Sequence, residues 1–346
     1  MAASDKREFA TLRDVARLAS VSIATVSATV NGTAFVSPAL RARVLKAIDE
    51  TGYTPDGVAR SLKRGVAPLI GLIVSDVTIP FFATLARAAE TAARARGYTI
   101  LMGNSDEDPA TERRYLEAMR AQRAAGMILA IAGAGDGAAE ADNLGFLRSA
   151  VAVPTVMIDR SVAGWDSVSA DHVGSAEAAT AHLAALGHRR IGFIAGTVRL
   201  STNRERLDGY RRALAAAGLG YDATLVRLEN KHGEQAYDAA LDLLGTAARP
   251  SAVVLANIKV TVATMRAARA LGLRSPQDLS IAGIDDFPWP ELMQPQPTVV
   301  AQPAERIGAE AVRLVLERIA QRDAPPRALV LPGALIVRES SAPPAA

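Results

Sequence analysis

The sequence contains no cysteine, so disulfides, thiol catalysis and cysteine-based metal sites are excluded. It also has no apolar run that approaches the roughly 20 residues needed to span a bilayer. The first nine residues are polar and charged and have no apolar segment typical of a secretory signal. These features predict a cytoplasmic protein that does not interact with a membrane.

Common catalytic motifs are also absent. No Gly-x-Gly-x-x-Gly motif follows a predicted strand, and no P-loop occurs. The acidic neighbours Asp285 and Asp286 follow a strand and should point in different directions, so they make a poor acid–base pair. The four histidines show no paired metal-ligand spacing; they are His172, His182, His188 and His232. We therefore predict that the protein is not an enzyme and needs no cofactor or metal.

The charge of the chain is nearly balanced, with 39 basic and 36 acidic residues, but it is unevenly placed. Residues 1–64 hold ten Lys and Arg against six Asp and Glu, a net charge of +4. A basic head on a near-neutral body indicates a polyanionic partner for the head.

The head is predicted to be helical. Thr11 is a candidate N-cap with Asp14 completing a capping-box pattern, and Ser22 can cap a second helix after a tight turn. Ser37-Pro38 opens a third helix that reaches about Glu50. Two short helices joined by such a turn, in residues 11–32, form a helix-turn-helix motif, whose second helix can enter a DNA major groove.

After Pro68 the pattern changes to strand-length apolar runs that alternate with helical stretches. The predicted strands are 69–74, 98–102, 126–130, 154–158, 190–195, 252–255 and 279–284. This order predicts parallel sheets with helices on both faces, and about 270 residues is long for one such sheet. The fold class is therefore an all-α helix-turn-helix headpiece followed by an α/β body with two doubly wound lobes.

Residues 11–32 resemble the headpiece of the LacI/GalR family of bacterial regulators, and Tyr53-Thr-Pro-Asp-Gly-Val-Ala-Arg-Ser-Leu-Lys resembles the family's hinge helix. The body matches at several segments, among them Ile70-Gly-Leu-Ile-Val, Gly187-His-Arg-Arg-Ile-Gly-Phe-Ile and Ile284-Asp-Asp-Phe. The resemblance implies a body of the type I periplasmic-binding-protein fold. It also implies a nucleoid-associated transcriptional regulator, more commonly a repressor, that binds a palindromic double-stranded DNA operator as a homodimer.

The resemblance also implies the domain limits. The headpiece would span residues 1–54, the hinge helix and linker 55–67, and the sensing and dimerisation domain 68–340. Within that domain the N-lobe would comprise about 68–170 and 302–330, and the C-lobe about 171–301 and 331–340.

The candidate DNA-binding residues lie in the head and the hinge. They are Thr11, Ser22, Ile23, Ala24, Thr25, Ser27, Ala28, Asn31, Ala59, Leu62 and Lys63. Leu62 occupies the position of the family leucine that wedges into the minor groove. The family usually has arginine at the position of Ala28, so we expect an operator that departs from the family norm there. Asp56 stands where asparagine is usual, and Gly57 lowers the helix propensity of the hinge.

The candidate ligand-binding residues follow the predicted strands of the body, because doubly wound lobes bind ligands at the carboxyl ends of their strands. They are Phe81, Phe82, Asp159, Thr202, Arg206, Lys231, Asn257, Asp285 and Trp289. Two positions depart from the family. Ile258 replaces an aspartate, which removes one polar contact, and Lys231 favours an anionic ligand. The implied effector is a sugar, a sugar acid or phosphate, or a purine-like molecule.

Three alternatives stay open from the sequence. The body could respond to a protein partner or to nothing, because the Asn257-Ile258 pair is altered. A periplasmic solute-binding protein would share the body fold, but it would lack the head and carry a signal peptide. The effector could act as an inducer or as a corepressor, because both need only a different affinity for two lobe arrangements.

Overall fold

The computed structural model describes residues 10–31, 34–53, 67–133, 138–228 and 233–345. The chain divides into two compact units, Met1–Ala67 and Pro68–Ala346, which we call the head and the body. No helix in these described ranges is long and apolar enough to cross a membrane.

The described part of the head contains three helices, α1 (Leu12–Leu18), α2 (Ile23–Asn31) and α3 (Pro38–Thr51). The predicted capping box is present at α1: the Asp14 amide donates to Thr11 Oγ1, and the Thr11 amide donates to the Asp14 carboxylate over 2.9 Å. Helix α3 ends at Gly52, whose φ of 63° is a left-handed conformation that glycine adopts without strain.

A small apolar core holds the three helices together. Its buried members are Val15, Ala16, Ala19, Val26, Val44, Ala47 and Tyr53. The Arg43 side chain reaches from α3 to the end of α1, where it donates to the Ala19 carbonyl over 2.6 Å and to the Ser20 carbonyl over 3.2 Å. Ser20 has a φ of 50°, which makes the tight turn between α1 and α2.

The body contains twelve strands in its described residues. They are β1 (Ala67–Val74), β2 (Thr99–Asn104), β3 (Ala124–Leu129), β4 (Thr155–Ile158), β5 (Asp166–Ala170), β6 (Ile191–Ile194), β7 (Val226–Arg227), β8 (Ala252–Leu255), β9 (Ser280–Ile284), β10 (Thr298–Ala301), β11 (Ala328–Leu331) and β12 (Ala334–Ile336).

Eight α-helices accompany these strands in the part of the body that the structure describes. They are α4 (Pro80–Arg94), α5 (Pro109–Ala121), α6 (Ala138–Phe146), α7 (His172–Ala185), α8 (Ser201–Ala216), α9 (Gly233–Leu244), α10 (Ile258–Ala270) and α11 (Ala304–Ala320). A π-helix, Leu147–Val151, continues α6, and two short 3-10 helices span Ala223–Leu225 and Pro290–Leu292.

The strands form two six-stranded sheets. The first has the order β11-β5-β4-β3-β1-β2 and belongs to the N-lobe; the second has the order β12-β10-β9-β8-β6-β7 and belongs to the C-lobe. Strand β12 runs antiparallel to β10, whereas β9 and β10, like β1 and β2, are parallel. The chain therefore passes between the lobes three times, after β5, β10 and β11.

Each lobe buries an apolar layer between its sheet and its helices. In the N-lobe, α11 returns from the C-lobe and packs beside α4, with Leu85, Ile307 and Val315 fully buried. In the C-lobe, α7 and α8 approach so closely that a Cβ at Gly209 would overlap the Val173 carbonyl oxygen. The prediction of a helical headpiece and two doubly wound lobes is confirmed.

Candidate functional site: the helix-turn-helix face and the interlobe cleft

The first turn of α2 carries the exposed face of the motif. Ser22, Ile23 and Ala24 are exposed there, whereas Val26 on the opposite side is buried in the core. Thr25, Ser27 and Ala28 are half-buried. The Ser22 and Thr25 hydroxyls lie 2.9 Å apart, and the Thr25 amide donates to Ser22 Oγ over 3.1 Å. The helix N-terminus therefore presents the small side chains of Ser22 and Ala24 together with the larger apolar side chain of Ile23.

Other predicted DNA-binding residues have different surroundings. The Thr11 hydroxyl donates to Asp14 over 2.7 Å, so its proton is used in the cap. Asn31 is the last residue of α2. Ala59, Leu62 and Lys63, together with the hinge residues at 56 and 57, lie outside the described residues, and their roles stay predictions. Phe35, just before α3, is 93% exposed.

A cavity of about 100 Å³ lies in the body between the carboxyl ends of the two sheets. Seven of the nine predicted ligand-binding residues line it: Phe81, Phe82, Asp159, Thr202, Arg206, Asn257 and Asp285. The two rings meet edge to face, with centroids 5.0 Å apart, and form an apolar wall. The remaining lining residues were missed: Ser75, Ile79, Glu107, Arg160, Leu200, Asn203 and Gln302.

Asp159 and Asp285 occupy equivalent positions in the two lobes. Each follows a strand, β4 or β9, and each has a positive φ, 65° and 74°. The Asp159 amide donates to the Val168 carbonyl and the Asp285 amide donates to the Val300 carbonyl, over 3.2 and 3.1 Å. This repeated geometry directs a carboxylate into the cavity from each lobe, a strained backbone arrangement typical of functional sites.

A buried histidine links the two lobes behind these carboxylates. Arg206 Nη2 lies 3.2 Å from His172 Nδ1, and His172 Nε2 lies 2.9 Å from the Asp159 carbonyl oxygen. Since a guanidinium can only donate, Nδ1 must accept and Nε2 must carry the proton. Burial, and then the nearby Arg206 charge, lower the pKa of His172 to about 3. The imidazole is therefore neutral and fixed in one tautomer.

The cavity contains more carboxylate than free guanidinium. Burial raises the pKa of Asp159 and of Asp285; the charges of Arg160 and then Arg206 oppose this at Asp159, and the charge of Arg206 opposes it at Asp285. The Arg160 guanidinium donates to the Glu107 carboxylate and to the carbonyl oxygens of Ile131 and Gly133, the latter two over 2.6 and 3.0 Å. Arg160 Nε also lies 3.8 Å from Asp159 Oδ2, so the two guanidinium groups of Arg160 and Arg206 face three carboxylates, those of Glu107, Asp159 and Asp285. The Gln302 amide donates to Asp285.

Three buried polar atoms of the cavity wall have no hydrogen-bond partner among the described residues. They are the donors Arg160 Nε and Arg206 Nε and the acceptor Gln302 Oε1. Buried polar groups are normally paired, so unpaired ones beside a cavity are typical of a binding site. A ligand that both donates and accepts suits this lining.

The structure places the other predicted ligand residues differently. Trp289 is 66% exposed and does not line the cavity. Lys231 lies outside the described residues. Asn257 lines the cavity but also caps α10, since its Oδ1 accepts from the Val260 amide over 2.9 Å. The roles of these residues stay predictions.

The two residues after Asn257, at the start of α10, have different surroundings. Ile258 is buried, and the next residue, Lys259, forms an ion pair with Asp76 across the two lobes. Sequence reasoning had expected a lost polar contact here. A contact between the lobes is present, but one residue further along the chain.

Taken together, these features define a class of protein: a helix-turn-helix head joined to a two-lobed body with a polar cleft. Residues 11–56 match the family model of bacterial regulatory proteins of the lacI family, and residues 180–341 match a periplasmic binding protein-like domain. The Escherichia coli K12 ribose operon repressor is 34% identical over 338 residues, which cover 96% of this chain and all of that protein. The repressor PurR of Photobacterium profundum is 31% identical, with 96% and 98% covered. The chain therefore belongs to the LacI family and is a DNA-binding transcriptional regulator.

Solved structures agree with this assignment. A complex of the transcriptional regulator CelR with cellobiose is 33% identical and has a TM-score of 0.72, with 96% of this chain and 99% of that chain covered. The lac repressor dimer bound to operator and the anti-inducer ONPF is 25% identical with a TM-score of 0.85, covering 97% and 100%. The prediction that the protein is a regulator rather than an enzyme is confirmed by this family membership.

Proposed function

We propose that the protein is a repressor that binds a palindromic operator as a homodimer and responds to a small, neutral, polyhydroxylated ligand in the interlobe cleft. The excess of carboxylates over guanidinium groups in the cleft, with Asp159 and Asp285 facing it from the two lobes, carries the ligand part of this proposal. We further propose that residues 1–54, 55–67 and 68–340 are the headpiece, hinge and sensing domain. Operator binding places the protein on the nucleoid, in the cytoplasm.

The charge of the cleft favours a neutral ligand. Three carboxylates, Glu107, Asp159 and Asp285, line the cavity with two guanidinium groups, Arg160 and Arg206, so one acidic group is left without a balancing charge. An added phosphate or carboxylate would meet a net negative site, whereas hydroxyl groups can donate to the carboxylates and accept from Arg206. The Phe81 and Phe82 rings supply a surface for an apolar sugar face. The cavity is below the 300–1000 Å³ usual for drug-sized ligands, so we propose a ligand of monosaccharide size.

Calorimetric titration tests the ligand class. The panel holds ribose, glucose, gluconate, glucose 6-phosphate and hypoxanthine. We expect a neutral sugar to bind best, and Asp159→Asn and Asp285→Asn to weaken it at least tenfold. The control Asp106→Asn changes an exposed carboxylate outside the cleft and should have no effect.

Two other results would redirect the proposal. If the acid or phosphate form binds better and Lys231→Ala removes that preference, the ligand is an anion. If no metabolite in a broad panel raises the melting temperature, control by a protein partner replaces control by a ligand.

Exposed apolar residues on both lobes support the homodimer. Leu101 and Met102 lie on β2, at one edge of the N-lobe sheet, and Val262 and Leu292 lie on the C-lobe. We expect Leu292→Asp, which changes a residue that is 79% exposed, to give monomers in sedimentation velocity. Val330→Asp is the control, since β11 forms the opposite edge of the N-lobe sheet. A dimer that tolerates Leu292→Asp would contradict this assignment of the interface.

The reading of DNA is tested by selecting bound sequences from random DNA with the full chain. We expect the protein with its natural sequence to select a palindromic DNA sequence. Ala28→Arg should add a guanine preference at one position of each half-site, because a bidentate arginine–guanine contact contributes about 1–3 kcal/mol of discrimination. If no palindrome is enriched, the operator proposal fails; if Ala28→Arg selects the same sequences, Ala28 does not face the bases.

A further inference from the structure

A second cavity lies in the N-lobe, away from the cleft. It encloses about 330 Å³ and is lined where strands β4 and β5 begin, by residues such as Thr155 and Asp166. The cleft lies at the opposite, carboxyl ends of these parallel strands. Strand β1, the first strand of the body, also begins at this edge of the sheet, since its end pairs with the end of β3. We call this cavity the basal pocket.

The floor of the basal pocket is a closed ionic network. The buried Asp166 carboxylate accepts from Arg318 Nε and from the Arg327 amide, both over 2.8 Å. The other Arg318 donors engage the carbonyls of Arg322, Ala324 and Pro325. Arg318 Nη2 also lies 2.7 Å from Asp166 Oδ2, so all five guanidinium donors are engaged. The floor is neutral and fixed, and neither Asp166 nor Arg318 is available to a ligand.

The rim of the pocket is different. Arg148 and Arg322 line it and are exposed, and within the described part of the chain no ion pair joins either to an acidic side chain. The Arg148 guanidinium lies 5.4 Å from the centre of the Trp165 ring, so it is held over the pocket wall. Trp165 adds an indole Nε1 that has no hydrogen-bond partner in the described part of the chain. Arg148, Arg322 and Trp165 therefore all offer hydrogen-bond donors to the pocket, and the two arginines are cationic.

The walls are mainly apolar. Leu147, Val153, Pro154 and Pro326 line the pocket beside the Trp165 ring. Free arginines bind carboxylate or phosphate through paired donors, and an indole face binds a planar apolar group. A volume of about 330 Å³ falls within the range of small-molecule sites.

We propose that the basal pocket is a second effector site, which binds a small organic anion with a planar or apolar body. Arg148 and Arg322 bind the anionic group and Trp165 packs against the body. The site is independent of the cleft and of the ligand proposed there. Since β1, the first strand of the body, begins at the same edge of the sheet, the site is a second input to operator affinity.

The test is calorimetric titration of the full-length protein with phenyl phosphate, benzoate, inorganic phosphate and benzyl alcohol. We expect saturable binding of phenyl phosphate or benzoate, with binding at least tenfold weaker for benzyl alcohol and for inorganic phosphate. The first two probes distinguish a phosphate from a carboxylate ligand. Trp165 emission should change with the same saturation, and Trp165→Phe should abolish that change.

Arginine variants locate the binding. Arg148→Ala and Arg322→Ala should each weaken the best probe at least tenfold, and Arg212→Ala, an exposed arginine on α8 of the C-lobe, should not. Circular dichroism of each variant confirms that it is folded. Equal binding of benzyl alcohol would overturn the anionic class. Binding that survives both rim variants, or no saturable binding of either aromatic anion, would overturn the site itself.

Discussion

The neutral state of His172 makes a quantitative prediction about stability and pH. The imidazole is almost fully buried, and its pKa is lowered to about 3 in the folded protein, from an ordinary value of 6.5. Between these values the unfolded chain binds a proton that the folded chain does not, so stability falls as the pH falls below 6.5. At pH 5 the cost is about 2 kcal/mol, from 1.4 kcal/mol per pH unit over about 1.5 units, and at pH 8 it is close to zero.

The perturbation that isolates this cost is His172→Gln. A glutamine amide can still donate to the Asp159 carbonyl and accept from Arg206, as the imidazole does, but it does not titrate. The difference between the variant and the natural protein should therefore shift by about 2 kcal/mol in favour of the variant between pH 8 and pH 5. Using the difference cancels other groups, such as Glu112, where burial raises the pKa to about 7 and gives a pH dependence of the opposite sign.

The assay is urea unfolding of the full chain, followed by circular dichroism at pH 5, 6, 7 and 8. His182→Gln is the matched control. Burial also lowers the pKa of His182, but this histidine is only partly buried, so the shift with pH should be smaller. If His172→Gln and the natural protein differ by the same amount at all four pH values, the imidazole is not held neutral by the fold, and the reasoning fails.

Three further predictions concern the capping box, the lobe contact and a close helix packing. Thr11→Ala should speed hydrogen exchange of the backbone amides of residues 12–18 about fivefold, since an N-cap contributes about 1 kcal/mol. The control Ser37→Ala should not change the exchange rates in α3, because Ser37 makes no side-chain cap bond. Lys259→Ala should shift the equilibrium between closed and separated lobes by about 1 kcal/mol towards separation, because it removes the ion pair with Asp76. X-ray scattering should show a larger radius of gyration. The control Arg87→Ala breaks an ion pair within one lobe and should leave the radius unchanged. Gly209→Ala should destabilise the body by about 2–3 kcal/mol in thermal unfolding, and Gly145→Ala, with open space around it, should not. An unchanged value in the first variant of any pair would contradict the contact it tests.

The regular elements of the fold could be predicted where periodicity is strong. The strands with continuous apolar runs, such as β1 and β8, and the capped helices of the head lie within a few residues of their predicted bounds. Strand β5 was missed because its sequence, Asp-Ser-Val-Ser-Ala, is polar, although all five residues are buried. Its aspartate is neutralised by Arg318, which lies 152 residues away in the sequence. A strand that depends on so distant an ion pair has no local signal.

The residues of the cleft, like the strands, could be predicted from the sequence only in part. Residues that directly follow strands, such as Asp159 and Asp285, could be placed at the site by the rule that parallel strands converge at their carboxyl ends. Glu107, Arg160 and Gln302 could not, because their positions depend on contacts between elements 17 to 53 residues apart. Residues 258 and 259, in the first turn of α10, show within a few residues why the sequence alone does not predict such contacts. A residue-by-residue comparison with the family registers a lost aspartate, whereas the geometry shows that the first turn of α10 still provides a charge to the opposite lobe. Because that charge is a lysine and its partner Asp76 lies in the N-lobe, the contact between the lobes depends on both chain segments together, and neither segment alone predicts it.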